Sequence, residues 1–250
     1  MIDLPWPTLL GIGLVVTMSY TVFGLGGFGA NIVGLPLLVH WLPLRFAVPM
    51  MLVFDLCVAA VLGFRARRLL DRRELLRLMP LLLVGMVLGV TLLSQAEERW
   101  LLLVLGLFVL SYAAWSLLNK VPPAPVSPLW AMPAGLVGGV FTALYGTGGP
   151  IYTIYLARRL SDKSVLRATI GVLIFGTATI RLVLFTGGGF YAQRGLLWLA
   201  AGLLPCALLG YLIGSRLHAR LSGTRAVQAV WLLLIGSGAS LVWRSLASGA

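Results

Sequence analysis

Residues 145–151 read Tyr-Gly-Thr-Gly-Gly-Pro-Ile and interrupt an apolar run that extends from about 131 to 157. A related stretch, Gly24-Leu-Gly-Gly-Phe-Gly-Ala-Asn31, interrupts another apolar run from about 8 to 39. Gly24, Gly26 and Gly27 align with Gly146, Gly148 and Gly149 at an offset of 122, and the same offset pairs Leu44-Arg45 with Leu166-Arg167. At an offset of 121, Leu75-Leu76 pairs with Leu196-Leu197 and Gly89 with Gly210. Three apolar segments of span length follow each broken stretch, at about 47–64, 78–94 and 100–118 and at about 168–186, 196–215 and 226–243. Between the halves, 119–130 carries Pro122, Pro123 and Pro125, which predicts a stiff, extended linker. The sequence thus predicts two repeats, 1–118 and 131–250, each a glycine-broken hairpin plus three spans.

Composition supports this reading. Of the 250 residues, 60% are hydrophobic and 10% charged, against roughly 45–50% and about 25% in soluble domains. A soluble enzyme, a soluble binding module and a disordered chain are excluded on this ground. The apolar blocks approach helical span length and show no short period-2 segments, so the expected class is an all-α membrane protein rather than an outer-membrane barrel. The net charge of +12 is then a topology signal rather than a nucleic-acid footprint. Cys57 and Cys206 lie in apolar runs, which argues against a disulfide framework. No Lys or Arg precedes Arg45, so no cleavable signal peptide is expected.

The basic residues orient the spans. Arg65, Arg67, Arg68, Arg72, Arg73 and Arg77 crowd the segment 65–77, whereas 95–99 holds only Arg99. In the second half the pattern inverts: 158–167 holds Arg158, Arg159, Lys163 and Arg167, while 187–194 holds only Arg194. Arg216, Arg220 and Arg225 make 216–225 basic again. With 65–77 cytoplasmic, 158–167 is cytoplasmic only if 131–157 enters and leaves on one side. Each broken stretch is therefore expected to be a re-entrant-like hairpin of two half-crossings that turns at its glycines near the membrane midplane. The halves then have inverted topology, with both termini outside and the linker inside, a signature of secondary transporters.

Non-helical backbone at membrane depth is tolerated only within protein or along a watery cavity. Glycine supplies the positive φ and close approach such a turn needs, and Pro150 suits a first helical position. Half-helices starting after each turn present free N–H groups and positive dipole ends, which favour a small anion. The candidate binding residues are Gly26, Gly27, Phe28, Gly29, Ala30 and Asn31 at the first turn and Thr147, Gly148, Gly149, Pro150 and Ile151 at the second. Tyr145, Tyr152 and Thr153 stand close enough in sequence to add donors. The competing reading is close helix packing by small residues.

Only Asp55 and Arg181 fall inside predicted spans, and charges placed there are functional candidates by default. Arg181 is suited to neutralising an anion bidentately, with Asp55 as the coupling or pairing carboxylate. Alternatives are a structural ion pair or an Arg181 that snorkels outward. His40, beside Trp41, reads as interfacial, and Gly187-Gly-Gly189 as an outer loop able to gate. No metal cluster, G-x-S-x-G or Walker loop is present, so neither a cofactor, a metal, a catalytic site nor ATP coupling is expected. The expected function is secondary transport of an anion held between the two glycine-rich midplane turns, by alternating access around them; an anion channel and a non-transporting scaffold are the alternatives.

These residues carry a resemblance. From about 8 to 244 the chain resembles the TauE/SafE family, the sulfite exporter or TSUP family, through its two related halves, Gly24–Ile32, Tyr145–Ile151, the basic segment 65–77 and Leu166-Arg-Ala-Thr169. The resemblance implies export of a small sulfur-containing or organic anion, such as sulfite, thiosulfate or a sulfonate, across a bacterial inner membrane, with protons as the linked ion. Phe28 stands where the second turn has Pro150, so the two turns are not expected to bind alike.

Overall fold

A computed structural model describes residues 5–26, 29–62, 70–118, 125–218, 235–243 and 245. Gly27, Phe28, Arg65, Arg67, Arg68, Arg220, Arg225, the linker residues 119–124 and the first half of the last expected span lie outside the described residues. Among the described residues there are only helices, turns and bends. The chain is an all-α membrane protein.

The described residues form the helices α1 (Trp6–Gly26), α2 (Ala30–Leu38), α3 (Leu44–Leu62), α4 (Arg72–Gln95), α5 (Glu98–Leu118), α6 (Ala131–Tyr145), α7 (Gly149–Ala157), α8 (Lys163–Gly187) and α9 (Leu196–His218). Residues 235–243 are also helical. Among the described residues, six segments are long and apolar enough to cross a bilayer: Trp6–Leu25, Arg72–Gln95, Glu98–Trp115, Pro128–Tyr145, Ser164–Gly187 and Leu196–Leu217. Trp6, Trp100, Trp130, Trp198 and Trp243 are exposed at helix ends, where aromatic residues anchor at membrane interfaces.

The chain forms two compact units. One comprises Met1–Met51, Ala96–Lys120 and Ala192–Ala250, the other Leu52–Gln95 and Val121–Tyr191. In the first unit α1 runs parallel to α9, and glycine makes the contact. A Cβ at Gly13 would touch Leu203 and Cys206, one at Gly210 would enter the Thr17 carbonyl, and one at Gly24 would lie 2.6 Å from the Tyr211 carbonyl. α2 folds back until Trp41 packs beside Gly11, near where α1 began.

The second unit repeats this arrangement with other helices. α6 runs parallel to α4: Gly135 meets Leu78 and Leu82, Gly139 meets Leu82 and Met86, and Gly89 meets Val140 and Ala143. Leu78, Leu82, Met86, Ala143, Tyr152, Tyr155, Leu156 and Leu173 form a core that joins α4, α6, α7 and α8. At the far end of α7, Arg159 donates to the Val126 carbonyl at 3.0 Å, just ahead of α6, so this hairpin also returns to the end at which it began.

The hairpins differ from expectation in depth. Their first arms are not half-crossings. α1 has 21 residues and α6 has 15, about 31 Å and 22 Å of helix at 1.5 Å per residue. Gly24 lies against Tyr211 and Ser215, and Ala143 lies against Gly89. Each break is therefore level with the last turns of α9 or α4, not with their middle. Only the returning arms, α2 and α7, have half-crossing length, at 9 residues each.

Candidate functional site

The second break is built by α6 and α7. Gly146 ends α6 in the left-handed region at φ 68, and its N–H bonds the Thr142 carbonyl at 2.8 Å, which satisfies an end carbonyl of α6. The Thr147 N–H bonds the Phe141 carbonyl at 3.3 Å. Thr147 therefore presents its hydroxyl rather than its amide. That hydroxyl is buried and without a hydrogen-bond partner, as is the Thr153 hydroxyl one turn into α7. α7 carries Pro150 in its first turn. Its first intrahelical bond runs from Tyr152 N–H to the Gly148 carbonyl at 3.1 Å, so the N–H groups of Gly149 and Ile151 lie ahead of the ladder, as helix geometry requires.

Close packing shapes this break as well. A Cβ on Gly148 would overlap the Thr142 hydroxyl and stand 2.5 Å from the Gly138 carbonyl, and a Cβ on Gly138 would overlap the Tyr152 ring. Tyr152, 1% exposed, lies on Gly138 and hydrogen-bonds Thr142 at 2.8 Å. The packing reading and the binding reading of these glycines thus apply to different atoms of one turn.

Arg181, on α8, is 3% exposed, and its Nη1 lies 3.9 Å from the Asp55 Oδ2, on α3. Burial rules out outward snorkelling. At 3.9 Å the two charges attract without a direct hydrogen bond, and the Asp55 side chain keeps 17% of its surface exposed. The guanidinium carbon sits 5.3 Å from the Phe185 ring centre, within cation–π range. Arg181 also interacts electrostatically with the hydroxyls of Tyr152, on α7, and Tyr191, beyond the Gly187–Gly189 loop. Burial pushes the Tyr191 hydroxyl up to about 12, with Arg181 opposing and Asp55 adding to the rise. Phe190 packs on Phe185 with ring centres 5.0 Å apart. Asp55, Arg181, Tyr152, Thr147 and the α7 start therefore belong to one unit.

The first turn is a different environment. Gly29 adopts φ 102 as the N-cap of α2, and Ala30 and Asn31 are buried behind it. Tyr20, fully buried, donates to the Met51 carbonyl at 3.1 Å. Gly26 ends α1. These residues lie in the other unit. His40 is exposed, with Nε2 3.0 Å from the Ser240 hydroxyl, in keeping with an interfacial position.

Two residues escape the sequence reading: Tyr191 and Glu74. Glu74 sits in the basic segment, where it reads as a loop charge, yet it is 3% exposed. It accepts from Tyr155 at 2.5 Å, from Arg77 at 2.5 Å and from Arg159 at 3.0 Å. These bonds hold the Arg159 guanidinium above its ordinary value. The signal that finds Glu74 is the stripe Glu74, Leu78, Leu82, Met86, every member of which is buried.

Residues 9–241 match the model of the sulfite exporter TauE/SafE family. The chain belongs to the TauE/SafE family. It is also 32% identical over 174 residues, 67% of this chain and 72% of the relative, to a protein of Comamonas testosteroni named probable inner membrane transporter protein TsaS. No solved structure matches. This TauE/SafE protein is thus an integral membrane transporter for a small anionic molecule, and not an enzyme.

Proposed function

We propose that the chain is a secondary transporter that exports a small sulfur-containing or organic anion, in the range of sulfite, thiosulfate or a sulfonate, across a bacterial inner membrane. The observation that carries this reading is the buried Arg181 guanidinium in the same unit as the α7 start, with its carboxylate partner 3.9 Å away. A cation fork, the Gly149 and Ile151 amides and the Thr147 hydroxyl suit the oxygens of an oxyanion. The anion competes with Asp55 for Arg181, and Asp55 is the carboxyl that carries the linked proton. The site opens to each side in turn. The matched pairs α1 with α9 and α6 with α4 support inverted repeats that have exchanged their hairpins, since α4 and α9 occupy the same place in the two halves.

The test is flux in proteoliposomes with sulfite, thiosulfate and taurine. Saturable uptake that follows an imposed pH gradient, and loses that dependence in Asp55→Asn, supports the reading. Non-saturating flux points to a channel, and no flux of any of the three contradicts the proposal.

A further inference from the structure

We infer that Glu74, with Tyr155 and Arg159, is the positioning device for α7, and that it sets the geometry of the second turn from the opposite end of that helix. The inference rests on the reading of that turn as the anion site. α7 is only 9 residues long, too short to hold its own orientation by helix propensity. Two tyrosine hydroxyls three residues apart tie one face of it down. Tyr152 is bonded to Thr142 of α6 at 2.8 Å, and Tyr155 donates to Glu74 Oε2 of α4 at 2.5 Å. Residues three apart lie on the same helix face, so the pair fixes the roll of α7 about its axis.

The Glu74 end carries the stronger bonds. Its Oε1 receives Arg77 at 2.5 Å and Arg159 Nη2 at 3.0 Å and Nε at 3.2 Å. The remaining Arg159 nitrogen holds the Val126 carbonyl at 3.0 Å. The Glu74 N–H bonds Asp71 Oδ1 at 3.0 Å, and the Asp71 N–H bonds the Thr169 hydroxyl of α8 at 3.0 Å. One buried carboxylate thereby joins α4, the exit of α7 and the approach to α6, with α8 reached through Asp71. Hydrophobic residues of similar volume are often as stabilising as a buried ion cluster. What this cluster supplies is direction: charge-assisted bonds of fixed geometry hold the exit of α7, while Gly149 and Ile151 stand at its other end.

The experiment uses the full chain with Cys57→Ala and Cys206→Ala and a reporter, Thr147→Cys, labelled by N-ethylmaleimide in detergent. Thr147 is 1% exposed, so labelling is slow when α7 is held. Adding Glu74→Gln, or the near-isosteric Tyr155→Phe, raises the labelling rate about tenfold, the scale of a lost bond to a charged group. In the chain that keeps Thr147, the same two substitutions raise the KM for thiosulfate by a similar factor and leave the maximal rate in place. Labelling unchanged in both variants overturns the inference, as does a lowered melting temperature with labelling and KM unmoved. Tyr155→Phe decides the matter if Glu74→Gln fails to assemble. Labelling that responds in a chain unable to take up thiosulfate, sulfite or taurine sinks the anion reading and leaves the positioning role intact.

Discussion

The two hairpins share a backbone plan and differ in chemistry. Each has a long first arm lying parallel to a helix from the other half of the chain, a break at glycine, and a 9-residue return. The first is packed through Gly13 and Gly24 of α1 and Gly210 and Gly214 of α9, and its return meets Ser19 and Met51 at Gly34. The second adds a buried, unpartnered Thr147 hydroxyl, the tyrosines 152 and 155, and Arg181 with Asp55 in the same unit. Among the described residues the two hairpins share a backbone plan, while the buried ion pair and those two tyrosine hydroxyls lie in the unit of the second.

The largest effect expected from the comparison concerns the exchanged partners. The first arm of the first hairpin lies along α9 and that of the second along α4, so each half alone lacks the helix its hairpin's long arm packs against. Expressed alone, 1–118 and 131–250 each fail to give a stable membrane protein; expressed together, they co-purify. Co-purification on an affinity tag checks this, and a stable, monodisperse half on its own breaks the exchange.

A smaller effect separates the glycines. Gly148 has ordinary helical backbone at φ -68, but its Cβ would overlap Thr142 and meet Gly138. Gly29 has φ 102 and no atom within 4 Å of a Cβ. Gly148→Ala is expected to cost about 3 kcal/mol, an overpacking penalty, and Gly29→Ala about 1 kcal/mol, a left-handed backbone penalty. Melting temperatures in detergent measure the order. A reversed order shows that the second break is the looser of the two.

Much of this was legible from residues. The glycine clusters marked both breaks, and span counting with the basic segments placed a hairpin at each. The depth of the breaks was not legible. Glycine tells where a helix stops but not which neighbour it is level with, and α1 and α6 proved longer than half-crossings because their first arms follow α9 and α4. The charge inventory found Asp55 and Arg181 because they sit mid-run. Glu74 escaped it because two arginines precede it, and the same stretch of α4 is both basic loop and buried helix start. Tyr191 escaped for a different reason: its relation to Arg181 depends on the Phe185–Phe190 contact, which has no local sequence mark.

The central claim is that an oxyanion is bound by Arg181 beside the second turn. Its most direct test is thiosulfate binding to the purified protein by titration calorimetry, comparing the native chain with Arg181→Ala and Arg181→Lys. The account predicts that Arg181→Ala loses binding by at least about 100-fold, the scale of removing a buried charge partner. Arg181→Lys, which keeps the charge without the planar fork, should recover only part of it. Unchanged affinity in Arg181→Ala would contradict the account.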